Sequence, residues 1–299
     1  MIILDNTYKK KNDAVRLISE SEAEFDRHIN EIAEDICADK NLRCVTLAGP
    51  TCSGKTTTAS KLTAAMEKAG RRARVVTIDD FYFEKMEMEE RGLTDIEGPT
   101  ALNIPLFERA AADLAAGRAT LLPTFDFTDR TRAAFTEYTP TPDDIYIFEG
   151  IQAIYPEITS VLEKFSFRSI FIYPATDIEI AGIRFEKNEI RLIRRIVRDM
   201  NHRSTAPAET MGLWSAVRQN EEINIFPLVG HENYVINSTV AYELLLMGKY
   251  FLGATNGYTL DAPYAGTVYS LRERIRMISD TAVNIDMVPL TSVMREFAD

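Results

Sequence analysis

Apolar positions along this chain follow two alternating rhythms. Phe25, Ile29, Ile32, Ala33 and Ile36 recur at helical spacing and predict an amphipathic helix over about 21–38. Short apolar runs at 43–48, 73–78, 144–150, 166–173 and 234–237 read instead as buried strands. Helical stretches separate them: 57–69 ended by Gly70, 104–116 with Pro105 in its first turn, 186–203, 207–225, 240–251 and 267–280. This alternation predicts an α/β fold with a mostly parallel sheet flanked by helices. Two β-like runs, 121–127 and 133–138, flank the charged segment Thr128-Asp129-Arg130-Thr131-Arg132 and predict a small β-hairpin outside that sheet. The stretch 84–98, rich in charge and Met, reads as a mobile surface loop. Three divisions follow: an N-terminal helical extension over 1–40, a main domain over 41–253 and a C-terminal extension over 254–299 packed on it. The first helix reads as docked on the main domain, with partner docking as the alternative.

Composition narrows the classes. A net charge of −11 argues against a general nucleic-acid binder, which needs a basic face. No apolar run approaches the roughly 18 residues that span a membrane. The opening Met1-Ile2-Ile3-Leu4-Asp5 lacks the basic region of a signal peptide. Cys37, Cys44 and Cys52 show no metal-ligand spacing, so a reduced cytoplasm is the expected setting. Cys52 reads as a small loop filler rather than a redox-sensitive thiol.

The decisive stretch is Gly49-Pro50-Thr51-Cys52-Ser53-Gly54-Lys55-Thr56, followed by Thr57. It fits G-x-x-x-x-G-K-[ST], between an expected strand and an expected helix. The glycines let successive N–H groups turn onto a polyphosphate at the positive end of a helix. Lys55 would reach the β- and γ-phosphates, and the Thr56 hydroxyl would hold Mg²⁺. The next strand ends in Asp79-Asp80-Phe81-Tyr82, at the edge where open α/β sheets bind ligands. Asp144-Ile145-Tyr146-Ile147-Phe148-Glu149-Gly150 is an apolar strand ending in an acid, the pattern of a Mg²⁺-associated carboxylate. Arg191, Arg194, Arg195 and Arg198 share one helix face, and only Glu189 and Asp199 are close in sequence. Such a face repels itself. A lid that closes over phosphates explains it better than a solvated surface.

Taken in order, the P-loop, Asp79-Asp80-Phe81-Tyr82, Pro123-Thr124-Phe125-Asp126-Phe127, Phe148-Glu149-Gly150-Ile151 and Arg194-Arg195-Ile196-Val197-Arg198-Asp199 resemble uridine kinase and its relative phosphoribulokinase. The chain is most similar to the bacterial uridine-kinase-like proteins, whose tail is echoed in Ile225-Phe226-Pro227, Asn237-Ser238, Tyr242-Glu243-Leu244 and Arg295-Glu296-Phe297. Many of those carry a TGS-type domain ahead of the kinase, which 40 residues cannot hold. The resemblance covers about Asp26 onwards. It implies a P-loop NTPase fold, ATP and Mg²⁺. Asp79 is implied as general base, with Thr56 and Glu149, and Asp79 in part, at the metal. Tyr82, Phe125, Asp126 and Arg132 are implied around the acceptor. Arg195, Arg198 and Arg203 are implied as the lid, and Arg194 with Arg203 is expected among the nucleotide-binding residues. Family members often oligomerise, but no stretch here identifies an interface.

Departures weaken the assignment of the acceptor. The family's Asp-His-Pro reads Glu97-Gly98-Pro99, leaving Glu97 to meet ribose hydroxyls. The hairpin Tyr is Phe125, the hairpin His is Arg130, and the lid's Arg-Gly-Arg is Arg203-Ser204-Thr205. A base pocket is sensitive to such losses of polar contact. The expected activity is transfer of the ATP γ-phosphate to a small-molecule hydroxyl, uridine or cytidine first. The alternatives are a kinase for a sugar phosphate or pantothenate-like acid, and a regulatory nucleotide-binding module.

Overall fold

In a computed structural model, described for residues 1–94, 98–257 and 262–298, the chain opens with a short strand, β1 (Ile2–Leu4). Helix α1 (Lys11–Ala38) follows, then β2 (Cys44–Ala48), α2 (Lys55–Lys68) and β3 (Ala73–Thr77). A 3₁₀ turn at Ile78–Phe81 leads to α3 (Lys85–Glu90), α4 (Ile104–Ala115) and the pair β4 (Thr120–Asp126) and β5 (Thr131–Tyr138). Next come β6 (Ile145–Glu149), α5 (Pro156–Leu162), β7 (Phe167–Tyr173), β8 (Ile178–Ile180) and β9 (Ile183–Phe185). The chain continues through α6 (Lys187–Arg203), α7 (Pro207–Asn224), β10 (Tyr234–Asn237), α8 (Glu243–Ala254), α9 (Ala262–Ile278) and α10 (Arg295–Ala298).

Five strands form one parallel sheet in the order β10-β7-β2-β6-β3. Successive strand residues point to opposite faces, and this sheet is apolar on both. Val45, Leu47, Ile147 and Ile170 join a core with α1, α2, α6 and α8, whereas Cys44, Tyr146, Phe148 and Phe171 join a second core with α4 and α5. Burial on both faces explains the unbroken apolar runs in the sequence. The sheet's carboxyl edge carries the P-loop after β2, Asp79 after β3 and Glu149 at the end of β6. No helix among the described residues is long and apolar enough to cross a membrane.

The β4–β5 hairpin forms its own antiparallel sheet, as its sequence spacing predicts. Asp144 pins it to the domain. This fully buried carboxylate accepts hydrogen bonds from Arg72 Nε at 2.6 Å, Tyr138 Oη at 2.7 Å and the Thr141 backbone N–H at 2.8 Å. Burial alone would raise its pKa, but these donors hold it well below the usual carboxylate range.

Several boundaries differ from the sequence reading. Helix α1 starts at Lys11 rather than near Ser21, because Ala14, Leu17 and Ile18 extend the buried stripe. The segment expected to be a mobile loop contains α3, whose start is closed by a reciprocal cap between Glu84 and Glu87. The 3-stranded sheet β1-β8-β9 and helix α5 were not expected. One core cluster runs from Leu4 to Ala298, so residues of both terminal extensions share it.

Candidate active site

The P-loop has the backbone that its glycines require. A Cβ on Gly49 would lie 2.2 Å from the Ile172 carbonyl oxygen, and Gly54 has a φ of +89°. Lys55 Nζ folds back to donate to the Pro50 carbonyl at 3.3 Å. Ser53 is fully buried, and its Oγ has no hydrogen-bond partner among the described residues. A buried orphan hydroxyl in a glycine loop that opens a helix fits an oxygen-rich anion.

The arginines of α6 behave differently from an open lid. Arg194 is 0% exposed and forms a two-pronged pair with Glu243, at 2.9 and 2.7 Å. It also donates to Ser238 O at 2.7 Å and to Cys52 O at 3.3 Å. Arg191 pairs with Glu221 and reaches Thr51 O at 3.3 Å. Arg198 meets Asp199 at 2.6 Å and Thr51 Oγ1 at 3.4 Å. The anions that the crowded face requires therefore come from α7, α8 and Asp199. Arg194 is corrected from a lid residue to a buried clamp on the P-loop backbone, because its donors are committed to protein acceptors. Arg195 and Arg203 do line the adjoining cavity.

That cavity has a volume of about 450 Å³ and opens between the P-loop, the turn after β3, the hairpin and α7. Asp79 and Thr51 share its wall with Tyr82, Phe125, Phe127 and Arg130. The three rings form a cluster with centroid separations of 5.1 to 6.1 Å. The neighbouring Asp80 is structural. Its Oδ1 accepts from the Phe125 backbone N–H at 2.9 Å and ties the hairpin to the end of β3. Of the expected acceptor residues, Tyr82, Phe125 and Arg130 come together here. Asp126 instead accepts from the Thr128 N–H at 2.7 Å and shapes the hairpin turn. Arg132 pairs with Glu87 of α3 and is not among the residues lining the cavity. Glu97 lies outside the described residues.

The carboxylates at the sheet edge are electrically strained. Burial pushes Asp79 up from its ordinary value; the Lys55 ammonium and hydrogen bonding from Gln152 oppose this, and Asp80 adds to it. Burial likewise raises Glu149, against Lys55 and with Asp79 and Glu296. Two buried carboxylates that resist charging are a hard-oxygen donor set suited to a divalent cation that keeps waters and phosphate ligands. No group of three or more His, Cys, Asp or Glu side chains arranged to hold a metal occurs among the described residues. Two protein carboxylates are nevertheless enough for Mg²⁺ held partly by phosphates.

Sequence reading missed Gln152. It is buried, its Nε2 donates to Tyr82 Oη, and it touches the Asp79 carboxylate electrostatically. Its one signal was position, three residues beyond the acid that ends β6. Phe127, Tyr155 and Asn220 of the cavity wall were also missed.

A family model described as phosphoribulokinase / uridine kinase matches residues 44–241. The chain belongs to the phosphoribulokinase/uridine kinase family. It is similar to a uridine kinase of Lactobacillus helveticus, at 32% identity over 52% of this chain and 67% of the relative. It is also similar to uridine-cytidine kinase C of Dictyostelium discoideum, at 25% identity over 56% of this chain and 32% of the relative. A crystal structure of a putative fructose transport system kinase from Silicibacter shares the fold, with a TM-score of 0.50 and 20% identity over 68% of this chain and 98% of that one. Membership in the phosphoribulokinase/uridine kinase family makes this chain an ATP-dependent phosphotransferase acting on an alcohol of a small molecule.

Proposed function

We propose that this kinase transfers the γ-phosphate of ATP to the 5′-hydroxyl of a pyrimidine nucleoside. The observation that carries this reading is the cavity in which Asp79 shares a wall with the ring cluster of Tyr82, Phe125 and Phe127. A flat base packs against rings, and a ribose hydroxyl then points towards the sheet edge. Asp79 accepts the hydroxyl proton, and its raised pKa brings it nearer the working pH of a general base. Lys55 and the loop amides orient the phosphates, while Arg195, Arg198 and Arg203 offset charge on the transferring group. Thr56, Glu149 and Asp79 would hold Mg²⁺, which supplies charge neutralisation between phosphate oxygens. Three buried, unpaired cysteines are consistent with a reducing, cytoplasmic setting.

One observation favours a second acceptor class. The Arg130 guanidinium lines the cavity, and its hydrogen bond among the described residues goes to the Met88 sulfur at 3.3 Å. An anionic acceptor, such as a sugar phosphate, would satisfy it better.

ADP release from Mg²⁺·ATP, measured with uridine, cytidine, other nucleosides and a panel of sugars and sugar phosphates, separates the readings. The expected outcome is turnover that depends on a pyrimidine nucleoside and falls about 10²-fold or more in Asp79→Asn, with ATP binding retained. Turnover only with an anionic acceptor selects the second class. Slow ATP loss indifferent to every acceptor points to a regulatory module.

A further inference from the structure

The segment after Pro289 is built into the nucleotide end of the molecule. Ser292, Val293, Met294, Phe297 and Ala298 are buried. Val293 sits directly on the P-loop, with its Cγ1 2.5 Å from where a Cβ on Gly54 would lie. Phe297 lies against Arg194, with 5.2 Å from guanidinium to ring centroid, and its carbonyl accepts from Asn201 Nδ2 at 3.2 Å. Arg295 anchors the other side through Ile285 O at 2.8 Å and Val288 O at 2.7 Å. Apolar burial and backbone hydrogen bonds thus hold this segment down.

Glu296 points the other way, into the site. Its Oε2 accepts from the Thr57 backbone N–H at 3.2 Å and from the Thr57 hydroxyl at 3.0 Å. Thr57 is the third residue of α2, so its N–H is one of the orphan donors at that helix's start. Such donors, at the positive end of a helix and directly after a P-loop, are the ones that bind phosphate oxygens. The Glu296 charge also reaches the surroundings of Glu149 and Arg198. The chain has therefore seated its own carboxylate on donors suited to a nucleotide phosphate.

We propose that Glu296 is a built-in competitor for the nucleotide, and that residues 292–298 form a strap whose Glu296 side chain a nucleotide must displace from Thr57. A carboxylate and a phosphate oxygen cannot share both Thr57 donors, and in a confined site their like charges repel. The strap therefore lowers nucleotide affinity and sets the concentration at which the kinase becomes occupied. The inference rests on nucleotide binding at the P-loop and is independent of the acceptor.

Equilibrium calorimetry with ADP, without acceptor and with no turnover, tests it on the full chain. Glu296→Gln keeps the shape and removes the charge; Glu296→Ala removes both. The expected result is a Kd for ADP about tenfold lower in both variants, the factor that one charge-assisted hydrogen bond supplies. Hydrogen exchange on the unmodified protein gives a second readout that needs no variant, with ADP expected to speed exchange of the amides over 292–298. Unchanged or weaker ADP binding in folded Glu296→Gln overturns the proposal, as does exchange in this segment that ADP slows or leaves alone. In either case Glu296 is a fixed support of the loop. Because no acceptor is present, a negative result here leaves the nucleoside-kinase reading intact, and failure of the acceptor screen leaves the strap intact.

Discussion

Asp79 works where a carboxylate is uncomfortable. Its folded pKa is raised, chiefly by burial. A raised acid binds its proton more tightly in the folded state, so stability falls as pH rises from its unfolded value through its folded value. At neutral pH the ionised group therefore destabilises the fold. Asp79→Asn is expected to lower transfer about 10²-fold or more and yet raise Tm by about 2 °C or more, read by a thermal scan at pH 7. Gln152 belongs to the same site as a positioning residue, joining Tyr82 to the Asp79 carboxylate. Gln152→Leu should lower kcat about tenfold while leaving the KM for ATP unchanged, because it misaligns the proposed base Asp79 without touching the P-loop. The P-loop residues were legible because their motif specifies a backbone shape that little else satisfies. Gln152 was not, because its role exists only where the ends of β3 and β6 meet. Arg194 reads as a lid residue in sequence because Glu243, which neutralises it, lies 49 positions away.

At the scale of elements, α6 is a brace whose arginines grip Thr51 and Cys52 of the P-loop. Its central pair, Arg194 with Glu243, is fully buried. Removing one member of such a pair leaves an unpaired charge and costs about 3–5 kcal/mol. Glu243→Ala is expected to lose that much in urea unfolding and to weaken ATP binding, because Arg194 also holds the Cys52 carbonyl. The hairpin rests on Asp144 in a comparable way. Because the folded pKa of Asp144 is depressed, its contribution is present above the unfolded carboxylate value of about 4 and is lost as pH falls below it. Asp144→Asn should be less stable than the parent at pH 7, and the gap should narrow in urea titrations carried out below about pH 4. The longer helices were legible from period and the central strands from unbroken apolar runs, whereas the short helices α3 and α5 were not. The β8–β9 pair was not, although Ile178, Ile180, Ile183 and Phe185 flank a two-residue turn in which Ala181 and Gly182 both have positive φ. Three-residue strands are too short for alternation to stand out, and Ala-Gly is a weaker turn signal than Asn-Gly.

Across the whole molecule, distant segments are stitched together. Thr7 Oγ1 donates to the Asp280 carbonyl at 2.7 Å, and the Ala282 N–H donates to the Tyr8 carbonyl at 3.0 Å. Glu22 of α1 is buried and accepts from Tyr242 Oη at 2.6 Å and Ser292 Oγ at 2.7 Å. Contacts of such sequence separation were invisible to a reading by period, which sees only near neighbours. They also make folding slow, since long loops must close before these contacts form. Val293 on the P-loop glycine has a consequence for biosynthesis. A chain emerging from a ribosome presents its glycine loop well before the residues that cover it and hold Arg194 from the far side. A ribosome stalled short of residue 293 thus carries a kinase whose nucleotide end is still open.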